Sequence, residues 1–320
     1  MDLGHFICPT TGAALRREGS ALIGGARPYP ILHDIPRFVA SDNYAEAFGL
    51  QWNKFKRTQL DSATDTTITE DRLRIAFGCD LSELAGKRVL EAGSGAGRFT
   101  EILLKHGALV YSFDYSSAVE ANFENNGSHD RLTLFQADIR HIPFANDTFD
   151  AVVCLGVLQH TPSTLASLTE LTRVLKPGGQ LVTDHYKWHL GNFTSLYLPW
   201  WAVIKRLSPA RQIDVTDQLT KIFFPIHWSV RNNRLAQLLL RRVSPINFYY
   251  GDFDLPKDTL YEWSRLDTHD RNTDHFKRHV TRRSYQALLE QAKLTDIEVF
   301  VGGTGYVGRA IKAVASATNA

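Results

Sequence analysis

From Lys87 onward, short apolar runs alternate with amphipathic stretches. Arg88-Val89-Leu90-Glu91-Ala92 reads as a buried strand, and the spacing beyond a glycine-rich turn predicts a helix through Lys105. Leu109–Phe113, Leu132–Ala137 and Phe149–Leu155 predict the next three strands. Ser163–Leu175 reads as a helix stopped by Lys176-Pro177-Gly178-Gly179, since proline cannot continue it and glycine serves the turn. Gln180–His185 predicts a fifth strand. Strands separated by helices pair in parallel through right-handed crossovers, which makes this region a doubly wound α/β sheet.

The flanks have a different texture. The first forty residues are rich in Gly and Pro with short apolar runs, Ala21-Leu22-Ile23 and Ile31-Leu32, and predict a small β unit. From Tyr44 to Phe77 the chain turns polar, with Phe48, Trp52 and Phe55 at helical spacing. After the fifth strand a long stretch rich in Trp, Tyr, Phe, Lys and Arg breaks the alternation, with a helical piece at Leu235–Arg242. Core texture returns with a helix at about Arg283–Lys293, alternation at Ile297, Val299 and Val301, and an apolar stretch Tyr306–Val314. The expected division is 1–40 a β unit, 41–85 a helical lid or linker, 86–186 the core, 187–282 an insert, and 283–320 the completion of the core sheet.

Composition narrows the function. With 43% hydrophobic and 22% charged residues and a formal net charge of +2, nothing global calls for nucleic acid. No apolar run reaches the roughly 20 residues that span a bilayer. The opening Met1-Asp2-Leu3-Gly4-His5 lacks the basic and apolar segments of a secretory signal, and Cys8, Cys79 and Cys154 follow no disulfide pattern. A cytoplasmic setting is the expectation.

The candidate chemistry lies at successive strand ends. In Glu91-Ala92-Gly93-Ser94-Gly95-Ala96-Gly97-Arg98, the three glycines remove Cβ atoms that would keep a ligand from the backbone. The helix start behind them offers N–H groups to an anion. Asp114, about 20 residues on, ends the second strand, where an acid can accept from both hydroxyls of a ribose. Asp138 and Ile139 end the third, where a carboxylate and an apolar side chain can flank adenine. Each acid alone could merely cap a loop. Three such features along one sheet edge point to a nucleotide-like ligand, because these sheets bind at their C-terminal edge.

These residues, with Phe149–His160 and Leu171-Thr172-Arg173-Val174-Leu175-Lys176-Pro177-Gly178-Gly179, resemble the ordered motifs of class I S-adenosylmethionine (SAM)-dependent methyltransferases, of the type 11 kind. The similarity runs from about Gly86 to Tyr186 and resumes near Arg283. It implies a Rossmann-like, mostly parallel seven-stranded sheet, with the small N-terminal β unit and a helical insert after the fifth strand. It also implies SAM as cofactor, with Glu91 near the methionine ammonium, Asp114 on the ribose, Asp138 and Ile139 about the adenine, and the Leu155 carbonyl toward the cofactor. Gly93, Ser94, Gly95, Gly97 and Tyr115 complete the implied cofactor set. Gln159 and His160 would border the methyl-transfer channel.

Competing readings remain. A dinucleotide-dependent oxidoreductase would place Gly or Ala where Arg98 stands. Gly302-Gly303-Thr304-Gly305-Tyr306-Val307-Gly308 looks like an epimerase fingerprint, yet too little chain follows it for a βαβ unit, so it reads as the turn between the last two strands. A non-catalytic SAM-binding or scaffold subunit is a further alternative. Cys8-Pro9-Thr10-Thr11-Gly12 resembles the start of a zinc ribbon, but Thr11 and Gly24-Gly25 stand where further cysteines would be needed, so no metal is expected.

Methyl transfer needs an acceptor, and the insert, with more basic than acidic residues among Trp200, Trp201, Trp228, Tyr249, Tyr250 and Trp263, is placed to select it. Such residues suit a small molecule, a sugar or glycan, or a lipid-linked acceptor, methylated at oxygen. Leu196–Leu207 is either a membrane-surface segment or an ordinary buried stretch. No RNA-binding motif accompanies it, and the oligomeric state is open. A hydroxyl acceptor benefits from a general base. His185 and His160, at the ends of the fifth and fourth strands, are the candidates, with Asp267 and His269 behind them. The Tyr44–Phe55 segment either closes over the cofactor, with Trp52 inward, or simply packs on the core.

Overall fold

A computed structural model describes residues 5–314 apart from 26, 41–42, 190–196, 250, 252, 254 and 304. Residues 1–4, Leu196, Tyr250 and Thr304 thus lie outside the described residues. The Gly- and Pro-rich opening folds as a four-stranded antiparallel meander, β1 (Arg16–Glu18), β2 (Ala21–Ile23), β3 (Tyr29–Leu32) and β4 (Ile35–Pro36). Cys8 is buried in this unit with its Sγ 3.2 Å from both Thr10 Oγ1 and the Tyr29 hydroxyl. Facing it is Gly25, where an added Cβ would lie 2.6 Å from that sulfur.

Three helices follow: α1 (Glu46–Lys54), the single turn α2 (Asp61–Thr64) and α3 (Ile68–Phe77). The Asp61 carboxylate accepts from the Thr69 and Glu70 amides at 3.0 Å each, satisfying donors that the first turn of α3 cannot bond internally. Next come β5 (Arg88–Ala92), α4 (Arg98–Lys105), β6 (Leu109–Asp114), α5 (Ala118–Asn126), β7 (Leu132–Gln136), β8 (Phe149–Cys154), α6 (Thr164–Val174) and β9 (Leu175–Tyr186). These five strands pair in parallel in the order β7-β6-β5-β8-β9. Both faces are covered, Val89 and Val153 packing into one core layer and Leu90 and Val152 into the other, as parallel sheets require.

The turn read at Lys176–Gly179 is absorbed into β9 rather than preceding it. Phe149 pairs with Leu175 and Ala151 with Gln180, so residues 176–179 bulge from the ladder, with Gly178 at φ 77°. The insert supplies α7 (Tyr197–Ile204), α8 (Pro209–Ser229), α9 (Arg234–Val243) and α10 (Lys257–Thr273). They build a separate apolar cluster around Leu219, Phe224, Phe248, Leu260 and Trp263. Then α11 (Arg282–Gln291) leads into the hairpin β10 (Leu294–Gly302) and β11 (Gly305–Lys312). Strand β11 pairs antiparallel with both β9 and β10, completing the seven strands. The epimerase-like glycines are its turn: Gly302 pairs with Gly305, and Gly303 has φ 53°.

Two attachments position the site. The N-terminal unit pairs Phe38 N–H with the Gln136 carbonyl at 2.8 Å and packs Phe6 on Phe144 (4.8 Å between centroids), so it covers the end of the exposed edge strand β7. Helix α1 sits against the start of α5: Asn53 Nδ2 donates to the Ser117 carbonyl at 3.0 Å, and Gly49 meets Ser117 so closely that a Cβ would fall 2.3 Å from its Oγ and 3.1 Å from its backbone nitrogen. Gly49→Ala gains up to about 1 kcal/mol of helix propensity. It must push α1 off α5, however, and a net loss of about 1–3 kcal/mol is expected. Denaturant unfolding measures it; unchanged stability would mean that α1 is not seated there.

Candidate active site

Parallel strands place their C-terminal ends along one edge, and the sheet order reverses between β5 and β8, where such sheets open a crevice. A cavity lies there. Gly93, Ser94 and Gly95 line it from the end of β5, Asp114 and Tyr115 from β6, Asp138 and Ile139 from β7, and Leu155 from β8. Eight of the ten cofactor residues expected from sequence thus meet on one wall. Glu91 and Gly97 do not line it.

The glycines act differently from expectation. Gly95 and Gly97 adopt φ 51° and 87°, a region that side-chain-bearing residues avoid. The space a Cβ would take is filled by the protein itself: a Cβ added at Gly95 would lie 2.9 Å from the Trp52 ring, and one at Gly97 would lie 2.2 Å from Asn122 Oδ1. The turn amides are also largely spent internally. Those of Gly93 and Ser94 donate to the Phe113 carbonyl, and that of Gly95 donates to Asp114 Oδ2 at 3.0 Å. Asp114 Oδ1 takes the Ser116 amide and hydroxyl at 2.9 and 2.7 Å, while burial pushes this carboxyl above its ordinary range. Oδ1 thus has both lone pairs engaged, whereas Oδ2 keeps one for a further donor. Asp138 is held by Arg140, Nε to Oδ1 at 3.0 Å and Nη2 to Oδ2 at 2.7 Å.

Glu91 sits beneath the turn, buried. Its Oε2 accepts from the Thr100 hydroxyl and, at 2.7 Å, from the Ser112 hydroxyl, whereas Oε1 has no donor. Burial pushes its carboxyl up to about 7.

The two histidines separate. His160 lines the cavity; its Nδ1 lies 3.2 Å from the Phe276 carbonyl and 3.5 Å from Asp274 Oδ2, and its Nε2 lies 3.3 Å from the Tyr186 hydroxyl. A carbonyl at Nδ1 places the proton there and leaves Nε2 the basic nitrogen. His185 lines neither this cavity nor the next. Side chains alternate along β9. Asp184 and Tyr186 point toward Arg72 and the neighbouring cavity, while Thr183 and His185 point to Tyr285 on the other face. His185 Nε2 meets Thr164 Oγ1 at 3.2 Å, and burial pushes the ring down to about 4. His269 is likewise buried, 2.6 Å from Gln51 Oε1, and lines neither cavity.

A second cavity of about 530 Å³ adjoins the first, sharing Trp52, Arg98, Gly156 and Asp270. Its walls include Gln159 and Tyr186 from the core, and Tyr249, Trp263 and Asp267 from the insert. Burial, then the charge of Asp270, pushes Asp267 up to about 7. Among the described residues, Arg98 is the one lysine or arginine on the first cavity wall, and its Nη1 donates to Gln59 Oε1 at 2.6 Å. Burial, then nearby Arg72, pushes it down to about 10, so it stays charged at neutral pH. Sequence reasoning used Arg98 only to reject a dinucleotide. Its place one residue past the glycine turn, opening α4, was the overlooked signal. Asp270 and Asp274 carried no comparable signal, since only folding of the insert brings them to His160.

Residues 90–183 match a family model described as a methyltransferase domain. The demethylmenaquinone methyltransferase of Clavibacter sepedonicus is 34% identical over 131 residues, 39% of this chain and 54% of that protein. The ubiquinone biosynthesis O-methyltransferase of Coxiella burnetii is 33% identical over 100 residues, 31% of this chain and 43% of that protein. The chain thus spans about half the length of the curated relatives it matches. Among solved structures, human N-acetylserotonin methyltransferase in complex with SAM aligns at TM-score 0.48 and 14% identity, over 86% of this chain and 61% of that one. Residues 90–183 thus carry a methyltransferase domain. The wall fits SAM chemically: an apolar cleft at Phe113, Tyr115 and Ile139 for a flat base, the half-buried Asp114 with a spare acceptor for a ribose hydroxyl, and a cation for a carboxylate.

Glu91 gives a stability test. Its folded value of about 7 lies above the ordinary 4.5, so folding favours the protonated form. That contribution is full below pH 4.5 and is lost as the pH rises through 7. Between pH 5 and 8 the wild type should lose roughly 2–3 kcal/mol of unfolding free energy that Glu91→Gln retains. Parallel pH slopes for the two proteins in urea unfolding would contradict this.

Proposed function

We propose that the whole chain transfers the methyl group of SAM to a hydroxyl of a small-molecule acceptor, sugar or lipid-linked, that occupies the second cavity. The carrying observation is His160: its ring lines the first cavity, and its Nε2 lies 3.3 Å from the hydroxyl of Tyr186 on the wall of the second. The aromatic side chains Tyr186, Tyr249 and Trp263 there suit an acceptor with a flat ring face. The printed names of the relatives, which concern menaquinone and ubiquinone, support a small molecule as acceptor.

When bound, SAM supplies an activated sulfonium methyl. The chain's own residues bind, orient and move a proton. Asp114 would accept from a ribose hydroxyl with the lone pair that the Gly95 amide leaves open on Oδ2. Ile139 and Tyr115 enclose the adenine, with Asp138 at its polar edge. Arg98 holds the methionine carboxylate with a charge-assisted bond. His160, kept in one tautomer by the Phe276 carbonyl and oriented by Asp274, takes the acceptor's proton at Nε2. Tyr186 and Asp270 sit beside that nitrogen, Tyr186 donating to Asp270 Oδ2 at 3.3 Å, and line the acceptor's approach.

Labelled SAM incubated with a small-molecule and glycan panel, read by mass spectrometry, identifies the acceptor. With it, His160→Gln should lower kcat by at least about a hundredfold. Calorimetry should find its SAM affinity nearly unchanged. His185→Ala should lose stability yet retain kcat. Arg98→Gln should weaken SAM binding by about tenfold or more. Wild-type turnover by His160→Gln removes the base assignment, and a chain that binds no SAM removes the whole reading.

A further inference from the structure

Two helices of the insert leave large apolar side chains on their outer faces. In α9, Gln237 faces inward, its Nε2 donating to the His227 carbonyl at 2.6 Å and its Oε1 3.0 Å from His227 Nδ1. Leu235, Leu238 and Leu239 face outward, 66%, 57% and 62% exposed, with Val243 beyond them. In α8, Phe224 and His227 are buried while Ile222 and Ile226, one turn apart, are exposed. The His227–Gln237 bonds clamp the two helices together, and residues 230–233 join them. A helix of a water-soluble surface normally turns its apolar stripe to the core. Here that stripe is left for something else to cover.

The charge around it selects the covering partner. Residues 221–243 hold five cations, Lys221, Arg231, Arg234, Arg241 and Arg242, and no Asp or Glu. Lys221, Arg234, Arg241 and Arg242 are exposed. A second copy packed through the same face would set these cations against their own images. An anionic bilayer surface satisfies both features, apolar side chains reaching the acyl boundary while cations stay among the phosphates. No helix among the described residues is long and apolar enough to cross a membrane, so the contact is in the plane. In Leu196–Leu207, which the sequence offered for this role, Trp200 and Val203 are exposed, but the larger apolar surface is on α8 and α9.

We propose that the α8–α9 hairpin docks on the headgroup layer of an anionic membrane, with Ile222, Ile226, Leu235, Leu238, Leu239 and Val243 as the inserted face. This stands apart from the methyl-transfer reading, since it rests on the outer surface alone. The full chain should float with vesicles of phosphatidylcholine mixed with phosphatidylglycerol, less with phosphatidylcholine alone, and less as salt is raised. The double variant Leu238→Glu, Leu239→Glu should lower the partition coefficient at least about tenfold. Lys221→Gln with Arg234→Gln should weaken binding only to the anionic vesicles. Unchanged melting temperature shows that each variant is folded, because all four side chains are exposed. Wild-type protein that does not float, or a leucine variant that floats equally well, overturns the proposal. A dimer in sedimentation that the leucine variant splits, without vesicle binding, overturns it too and gives the face to a second copy.

Discussion

One half-buried carboxylate fastens the C-terminal edge of this sheet together. Asp114 takes the Gly95 amide on one oxygen and the Ser116 amide and hydroxyl on the other, tying the turn after β5 to the end of β6. A carboxylate in that position is tolerable only because it is so bonded. The tie fixes the positive φ of Gly95, against which Trp52 lies, and it sets where α4 begins. Arg98, the first residue of α4, therefore stands at the junction of the two cavities. Cofactor wall, covering helix and cation are three consequences of one local geometry.

A second set of ties runs from the core to the insert. Asp184, at the end of β9, accepts the Gly156 amide at 2.6 Å on one oxygen and Arg72 at 2.6 Å on the other, joining the loop after β8 to α3. His160, just beyond that loop, depends for its orientation on Phe276 and Asp274, past the end of α10. Asp274 is itself shared, accepting from Trp201 Nε1 at 2.8 Å on α7 and pairing with Lys277 at 2.9 Å. The nitrogen assigned as base is thus held by residues more than a hundred positions away. Any rearrangement of the insert therefore changes the setting of His160.

How much of this was readable beforehand follows from what each signal encodes. Arg88–Ala92 and Phe149–Cys154 were legible as strands because continuous apolar runs mark positions buried on both faces. Asp114 and Asp138 were legible because strand ends are countable along a doubly wound sheet. The Lys176–Gly179 segment was readable as a break but not as a bulge, since the ladder register depends on a partner strand. His185 and His160 looked equivalent because strand alternation says which residues share a face and not which face meets the ligand. The glycine turn was legible, but not that side chains from α1 and α5, remote in sequence, pack where Cβ atoms at Gly95 and Gly97 would lie.

The same ambiguity of faces explains α9. Its leucines recur with helical spacing, and by pattern alone they belong to a core. In the fold, the inner surface of the hairpin holds Gln237, His227, Thr216 and Thr220 beside Leu219 and Phe224, with hydrogen bonds from Gln237 to His227 and from the two threonines back to their own helix. Filling an interior with hydrogen-bonded polar groups gains less than filling it with leucine. A chain that already owns enough leucines for the purpose, and places them outside, has spent folding stability on its surface. That expenditure is coherent when an apolar phase, rather than water, is the surface's working environment. On the proposed docking the insert is a two-sided layer: Tyr249, Trp263 and Asp267 line the second cavity on one side, and the outer faces of α8 and α9 match the medium beyond the protein.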